Sequence, residues 1–184
     1  MYEISFSAGM MAVTAGWILF RGAAALKRKQ LRWKYEAIQL LFLINLLVIT
    51  RFTFYPFSTV EGNVQPLLFD PAAVFPLRVN LIPFLNLMEY DSKSDLLINL
   101  IGNFAMFIPS GILIPLIYRK LNSLKKVVLT GGAISLGIEI LQLPFAVRAS
   151  DVDDLILNTA GCLVGFGIYA LVRLIRQSCL SCHK

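Results

Sequence analysis

The sequence predicts an all-α fold, a polytopic helical membrane protein with about five transmembrane helices and a Pro-rich interfacial or re-entrant segment before the third. Three observations carry this expectation. The 184 residues are 57% apolar with a mean hydropathy of +0.71, too hydrophobic for an ordinary soluble domain. Apolar runs of about 18 to 23 residues recur along the chain, the length a helix needs to cross a bilayer. The basic residues behind the net charge of +6 gather in short stretches between those runs, as expected for cytoplasmic loops. In a soluble chain a pI near 9.4 would suggest nucleic-acid binding. Here membrane orientation accounts for it, and no nucleic-acid partner is expected.

The first run covers roughly Ile4 to Phe20, about the minimum for a span, with Gly9 and Gly16 allowing close approach of a neighbour. No basic residues precede it, so it reads as a retained span and not a cleaved signal. The stretch after it holds Arg21, Lys27, Arg28, Lys29, Arg32 and Lys34, the strongest topological signal in the chain. That places the N-terminus outside and the C-terminus in the cytoplasm. The second run covers roughly Ala37 to Phe57, with Arg51 near its outer end.

Residues 58–94 follow as an outer segment punctuated by Pro66, Pro71, Pro76 and Pro83, too dense in proline for one spanning helix. V-F-P-L-R-V-N-L-I-P-F-L-N-L-M is nonetheless too apolar for a solvated loop. It should lie in the interface or dip into the outer leaflet with its backbone covered.

Residues 95–173 form a three-span core. The third run, about Leu96 to Tyr118, has Ser94 or Asp95 available as a cap. The fourth, about Val127 to Phe145, carries Ser135, Glu139 and Gln142 along one stripe and stops at Pro144. The fifth, about Leu155 to Val172, continues the face of Asp154 and Asn158 with Gly161 and Gly165. Residues 174–184 are left as a cytoplasmic tail. In this arrangement 13 of the 17 basic residues fall inside, and nine of the 11 acids outside. No internal repeat is evident, which argues against a transporter.

The expensive polar chemistry converges on the outer side. Asn99 and Asn103 lie in the outer part of the third run, Glu139 and Gln142 in that of the fourth. Asp154 and Asn158 open the fifth, the turn before it holds Arg148, Asp151 and Asp153, and the dipping segment brings Arg78 and Asn80. Asn and Gln can simply tie helices together, at about 1 kcal/mol each. An acid inside a span costs about 2.5–3.5 kcal/mol, so Glu139 is expected to face a wet cavity or a cation. Asp153 or Asp154 can be read as a cap on the fifth helix. Arg78 and Arg148 either neutralise these acids or grip a phosphate or carboxylate bidentately.

Several segments resemble a known family. R-V-N-L-I-P-F at 78–84, N-L-I-G-N-F-A-M-F-I-P-S-G-I-L-I-P at 99–115, E-I-L-Q at 139–142 and R-A-S-D-V-D-D-L-I-L-N-T-A-G at 148–161 are similar to the VanZ-like family of bacterial membrane proteins. The resemblance covers roughly Arg78 to Val172. It implies a polytopic helical domain at the cell envelope, tied to resistance to teicoplanin-type glycopeptides, with no reaction or cofactor attached.

An enzyme is the main rival to a binding protein. Clustered carboxylates could hold Mg²⁺ against a phosphate-bearing lipid, or Glu139 could act in acid/base chemistry. The sole histidine, His183, lies at the other end of the predicted topology, and no phosphate-binding glycine loop of the P-loop type is present. The tail C-L-S-C-H matches a haem-attachment spacing, but its terminal, cytoplasmic setting favours plain reduced thiols. No metal and no cofactor are therefore expected. The expected partners are membrane lipids and, in the outer pocket, an anionic lipid headgroup, an envelope precursor or a (lipo)glycopeptide. Arg78 and Arg148 would engage it, with Glu139, Asp151, Asp153 and Asp154 orienting them and Asn80, Asn99, Asn103, Gln142 and Asn158 shaping the walls.

Overall fold

The computed structural model describes residues 1–26, 32–55, 59–84, 92–145 and 150–181. They are mostly helical, with five α-helices and six very short strands. They form two compact units: Met1–Glu89 with Leu136–Asp153, and Tyr90–Ser135 with Asp154–Lys184.

In the first unit, α1 (Phe6–Leu26) and α2 (Trp33–Phe54) run antiparallel. At one end the Tyr55 hydroxyl donates to the Ser5 carbonyl at 3.2 Å, over Gly9, where any Cβ would overlap the phenol oxygen. At the other end Arg21 bridges Glu36 at 2.5 Å and lies over the Tyr35 ring. Gln39, Phe42, Asn45, Ile49 and Thr53 recur at spacings of three and four and are the buried stripe of α2. The helix ends at Phe54 and not near Phe57, because Pro56 pushes the preceding Tyr55 into extended backbone.

The Pro-rich stretch contains short strand pairs that a helix-and-loop reading does not anticipate. β1 (Tyr2–Ile4) pairs antiparallel with β4 (Leu67–Phe69). β2 (Thr59–Val60) and β3 (Asn63–Val64) make a hairpin whose turn residues Glu61 and Gly62 both have positive φ, as tight hairpin turns require. Asp70 caps a 3₁₀ turn at Pro71–Val74, accepting from the Ala72 N–H. The Asp70 N–H donates to the Pro144 carbonyl, and the Phe69 and Phe145 rings meet edge to face. β5 (Val79–Asn80) pairs in parallel with β6 (Ser150–Asp151).

In the second unit, α3 (Lys93–Ile117) is capped by the Ser92 hydroxyl, two or three residues ahead of the expected Ser94 or Asp95, and runs through Pro109 and Pro115. A 3₁₀ turn at Arg119–Leu121 leads to α4 (Leu124–Gln142), which stops two residues short of Pro144. α5 (Val152–Ser181) starts earlier and runs further than the expected span, so residues 174–181 of the tail are helical. α3 and α5 run in the same direction, and glycines set their separation. A Cβ on Gly161 would strike the Phe104 carbonyl, one on Gly165 the Ile108 carbonyl, and one on Gly111 the Cys162 carbonyl. Gly161 and Gly165 are thus the small pair, four apart, that lets two helix backbones touch. Cys162 is fully buried beside Gly131 of α4.

Among the described residues, three helices, α2, α3 and α5, are long and apolar enough to cross a membrane. α4 opens on Lys125 and Lys126 and carries Thr130, Ser135, Glu139 and Gln142, which dilute its apolar character.

Candidate functional site

The polar residues singled out from sequence form groups within each unit, each held by local geometry. The larger group lies in the first unit, around Glu139 near the end of α4. Glu139 is only 5% exposed, and its Oε2 accepts from the Ser150 hydroxyl at 2.8 Å and from the Asp151 N–H at 2.9 Å. Two charge-assisted bonds on one oxygen compensate part of the cost of burying the carboxylate. On this oxygen Glu139 acts as a clamp on β6.

Asp151 Oδ1 in turn accepts from the Asp153 N–H at 3.0 Å and from the Asn80 side-chain amide at 3.2 Å. The first bond is that of a helix N-cap, so the cap on α5 is Asp151 and not Asp153 or Asp154. Asp153, also buried, turns back to the Phe84 N–H with both oxygens, at 2.9 and 3.0 Å. Asn80 Oδ1 accepts from the Ile82 N–H, a local turn that fixes the strand exit. Arg78 is exposed, and its guanidinium donates to the Phe145 carbonyl at 3.2 Å while its own carbonyl takes the Ser150 N–H.

The result is a laced joint. Residues 78–84 are bound to 150–153 by a strand pair and by the side chains of Asn80, Glu139, Asp151 and Asp153. Phe84 sits at φ +66°, a left-handed conformation that a bulky side chain adopts only at a cost of about 1–2 kcal/mol. The grip of Asp153 holds it there. The apolar side chains Leu77, Leu81, Ile82 and Phe84 stay exposed.

Gln142 stands apart, donating to the Thr53 carbonyl of α2 at 2.6 Å, with its amide oxygen buried and unpartnered. In the second unit, Asn103 of α3 donates to Asp154 of α5 and, at 3.2 Å, to Asn99 one turn earlier. Deeper along the same helices Asn158 donates to the Ser135 hydroxyl at 2.9 Å. Arg148 lies outside the described residues, as do Cys182 and His183 of the tail. Among the described residues no three of Asp, Glu, Cys and His gather closely enough to hold a metal ion.

Sequence reasoning missed Ser150, whose hydroxyl completes the Glu139 clamp, and the buried polar stripe of Gln39, Asn45 and Thr53 on α2. Ser150 was legible within R-A-S-D-V-D-D as a small hydroxyl before a capping aspartate. The α2 stripe was legible as polar residues recurring at helical spacing inside an apolar run.

The profile of the VanZ/LLP1 family matches residues 42–173, well over half of the chain. Protein VanZ of Enterococcus faecium is 36% identical over 72 residues, which is 39% of this chain and 44% of that protein. The chain therefore aligns with less than half the length of that relative. No solved structure matches. The family match takes in α3, α4, most of α2 and α5, and the whole laced joint, and on that ground the chain belongs to the VanZ/LLP1 family.

Proposed function

We propose that this protein is an envelope membrane protein of the teicoplanin-resistance type that binds an anionic group at its outer surface. The bound species is a lipid headgroup, an envelope precursor or a (lipo)glycopeptide. The reading adopts five spans, with the N-terminus outside and residues 58–94 lying in the outer interface. The observation that supports it best is the laced joint. Its carboxylates are committed to hydrogen bonds that hold residues 78–84 in one shape, with Leu81, Ile82 and Phe84 exposed beside the Arg78 guanidinium. An exposed apolar loop with a planar cation suits the headgroup boundary, where side chains enter the acyl layer and Arg meets phosphate or carboxylate. Arg148, two residues before Ser150 in sequence, would add a second guanidinium. Asn99, Asn103, Asp154 and Asn158 hold helices together, and Gln142 does the same for α2 and α4. Carboxylates used as structural acceptors favour a binding protein over a carboxylate- or metal-dependent enzyme acting on the same lipids.

The test is Arg78→Ala, with Arg148→Ala alongside, at matched membrane abundance. Teicoplanin susceptibility should rise and retention of anionic envelope lipid should fall. Wild-type resistance and lipid retention in both variants would overturn the reading. Labelling of single cysteines placed near residue 2 and near residue 122 reports the orientation, with the first accessible from outside and the second only after permeabilisation.

A further inference from the structure

The other end of the three-helix unit presents a second feature, remote in sequence from the joint. A groove of about 470 Å³ runs between α3 and α5, walled by Ile112, Leu116, Ile168 and Val172, with Arg173 and Arg176 on its lining and Gln177 and Leu180 beyond them. The two arginines are three apart and share a helix face. Because α3 and α5 are parallel, this end also carries Arg119 and Lys120, which follow α3. Lys125 and Lys126, at the start of α4, join them, with Lys126 donating to the Lys120 carbonyl. The described carboxylates of the unit, Asp95 and Asp154, both lie in the first turns of their helices, at the opposite end. The described carboxylates of the unit are therefore confined to one end, where Lys93 accompanies them, and its other described cations lie at the other.

The spacing along α5 suits a bilayer. From Asp154 to Arg173 the helix rises about 29 Å, close to the hydrocarbon thickness, so Arg173 and Arg176 reach headgroup level when Asp154 is at the other interface. We infer that this groove is a binding site for an anionic glycerophospholipid, with one acyl chain along Ile112, Leu116, Ile168 and Val172 and the phosphate on Arg173 and Arg176. The apolar walls alone would accept any lipid chain. The cations at the mouth, with no described carboxylate among them, select a negative headgroup, and basic pockets between helices on the cytoplasmic side are known to do so. This site is independent of the outer joint and of any antibiotic ligand.

The experiment uses the full-length protein in nanodiscs of mixed phosphatidylglycerol and phosphatidylcholine, with retained lipid counted by native mass spectrometry after detergent exchange. Wild type should retain phosphatidylglycerol preferentially. Arg173→Gln with Arg176→Gln, both exposed positions, should lower that preference roughly tenfold or more. Lys120→Gln with Lys125→Gln removes the same charge from the same end but not from the groove mouth, and should leave most of the preference intact. Ile168→Trp fills the groove and should reduce retention of lipid with the arginines in place. The proposal fails if wild type holds both lipids equally, if the lysine pair matters as much as the arginine pair, or if Ile168→Trp retains phosphatidylglycerol like wild type.

Discussion

Asp153 grips the backbone of Phe84 with both carboxylate oxygens, across 69 residues of sequence, and so holds a phenylalanine in left-handed backbone. A buried acid spent on one main-chain N–H marks the 78–84 segment as a part whose shape is fixed. Asp153→Ala should therefore destabilise the protein by about 1–3 kcal/mol, by leaving that N–H without its acceptor. Asp153→Asn, which keeps one acceptor oxygen, should cost less. Thermal unfolding in detergent ranks the two.

The strain at Phe84 gives a second test. Its side chain is exposed, so little packing is lost on truncation. Phe84→Gly should be more stable than Phe84→Ala by about 1 kcal/mol, reversing the usual order of these residues, because only glycine is at ease with positive φ. Equal stabilities would mean that the left-handed conformation is not kept.

Glu139 and Ser150 should behave as a coupled pair. Glu139→Leu leaves the Asp151 N–H unmatched and the Ser150 hydroxyl with only the residue-139 carbonyl at 3.3 Å, and should cost about 2–4 kcal/mol, seen as lower membrane abundance and earlier unfolding. Glu139→Gln should cost less, since an amide oxygen can still accept. A double-mutant cycle of Glu139→Gln with Ser150→Ala should show a coupling of about 0.5–2 kcal/mol. Additive effects would mean that the clamp contributes nothing as a unit.

The glycines divide by what lies opposite them. Gly161→Leu and Gly165→Leu should each disrupt α3–α5 packing, because backbone carbonyls of Phe104 and Ile108 occupy the space and cannot yield. Gly16→Ala and Gly167→Ala meet nothing within 4 Å and should be neutral or stabilising by about 0.5–1 kcal/mol through helix propensity. Expression level and unfolding temperature separate the two classes.

Arg21 and Glu36 join α1 to α2 at an end where both are partly exposed. Reversing either charge alone should destabilise the hairpin by about 1 kcal/mol, and the swap Arg21→Glu with Glu36→Arg should recover most of it. A swap no better than the singles would show that packing of Arg21 on Tyr35 matters more than charge.

The helices were legible because their cause is local. Runs of Leu, Ile, Val and Phe between basic clusters announce apolar helices whatever their neighbours do. The face shared by Asp154, Asn158, Gly161 and Gly165 follows from periodicity alone. The partners of the polar residues follow from tertiary geometry, and the letters hold them only weakly. Nothing in D-V-D-D says that the first aspartate caps the helix while the second reaches back to Phe84. Glu139 reads as an uncompensated charge because its donors, the Ser150 hydroxyl and the Asp151 N–H, lie beyond a turn and Pro144. The short strands were illegible for a related reason. Two or three residues carry no alternation to read, and only pairing partners distant in the chain define them.

The parallel pairing of Val79 with Ser150 bears on how the polypeptide matures. Its two halves are separated by everything that forms α3 and α4, so the β5–β6 ladder cannot close until both helices have been synthesised. Closing so large a loop carries an entropic penalty that only the completed set of acid-to-amide bonds offsets. Lesions in this joint should accordingly yield chains that insert normally yet stay unlatched, open to membrane proteases. Their phenotype would be short lifetime after synthesis, with the translocon step itself untouched.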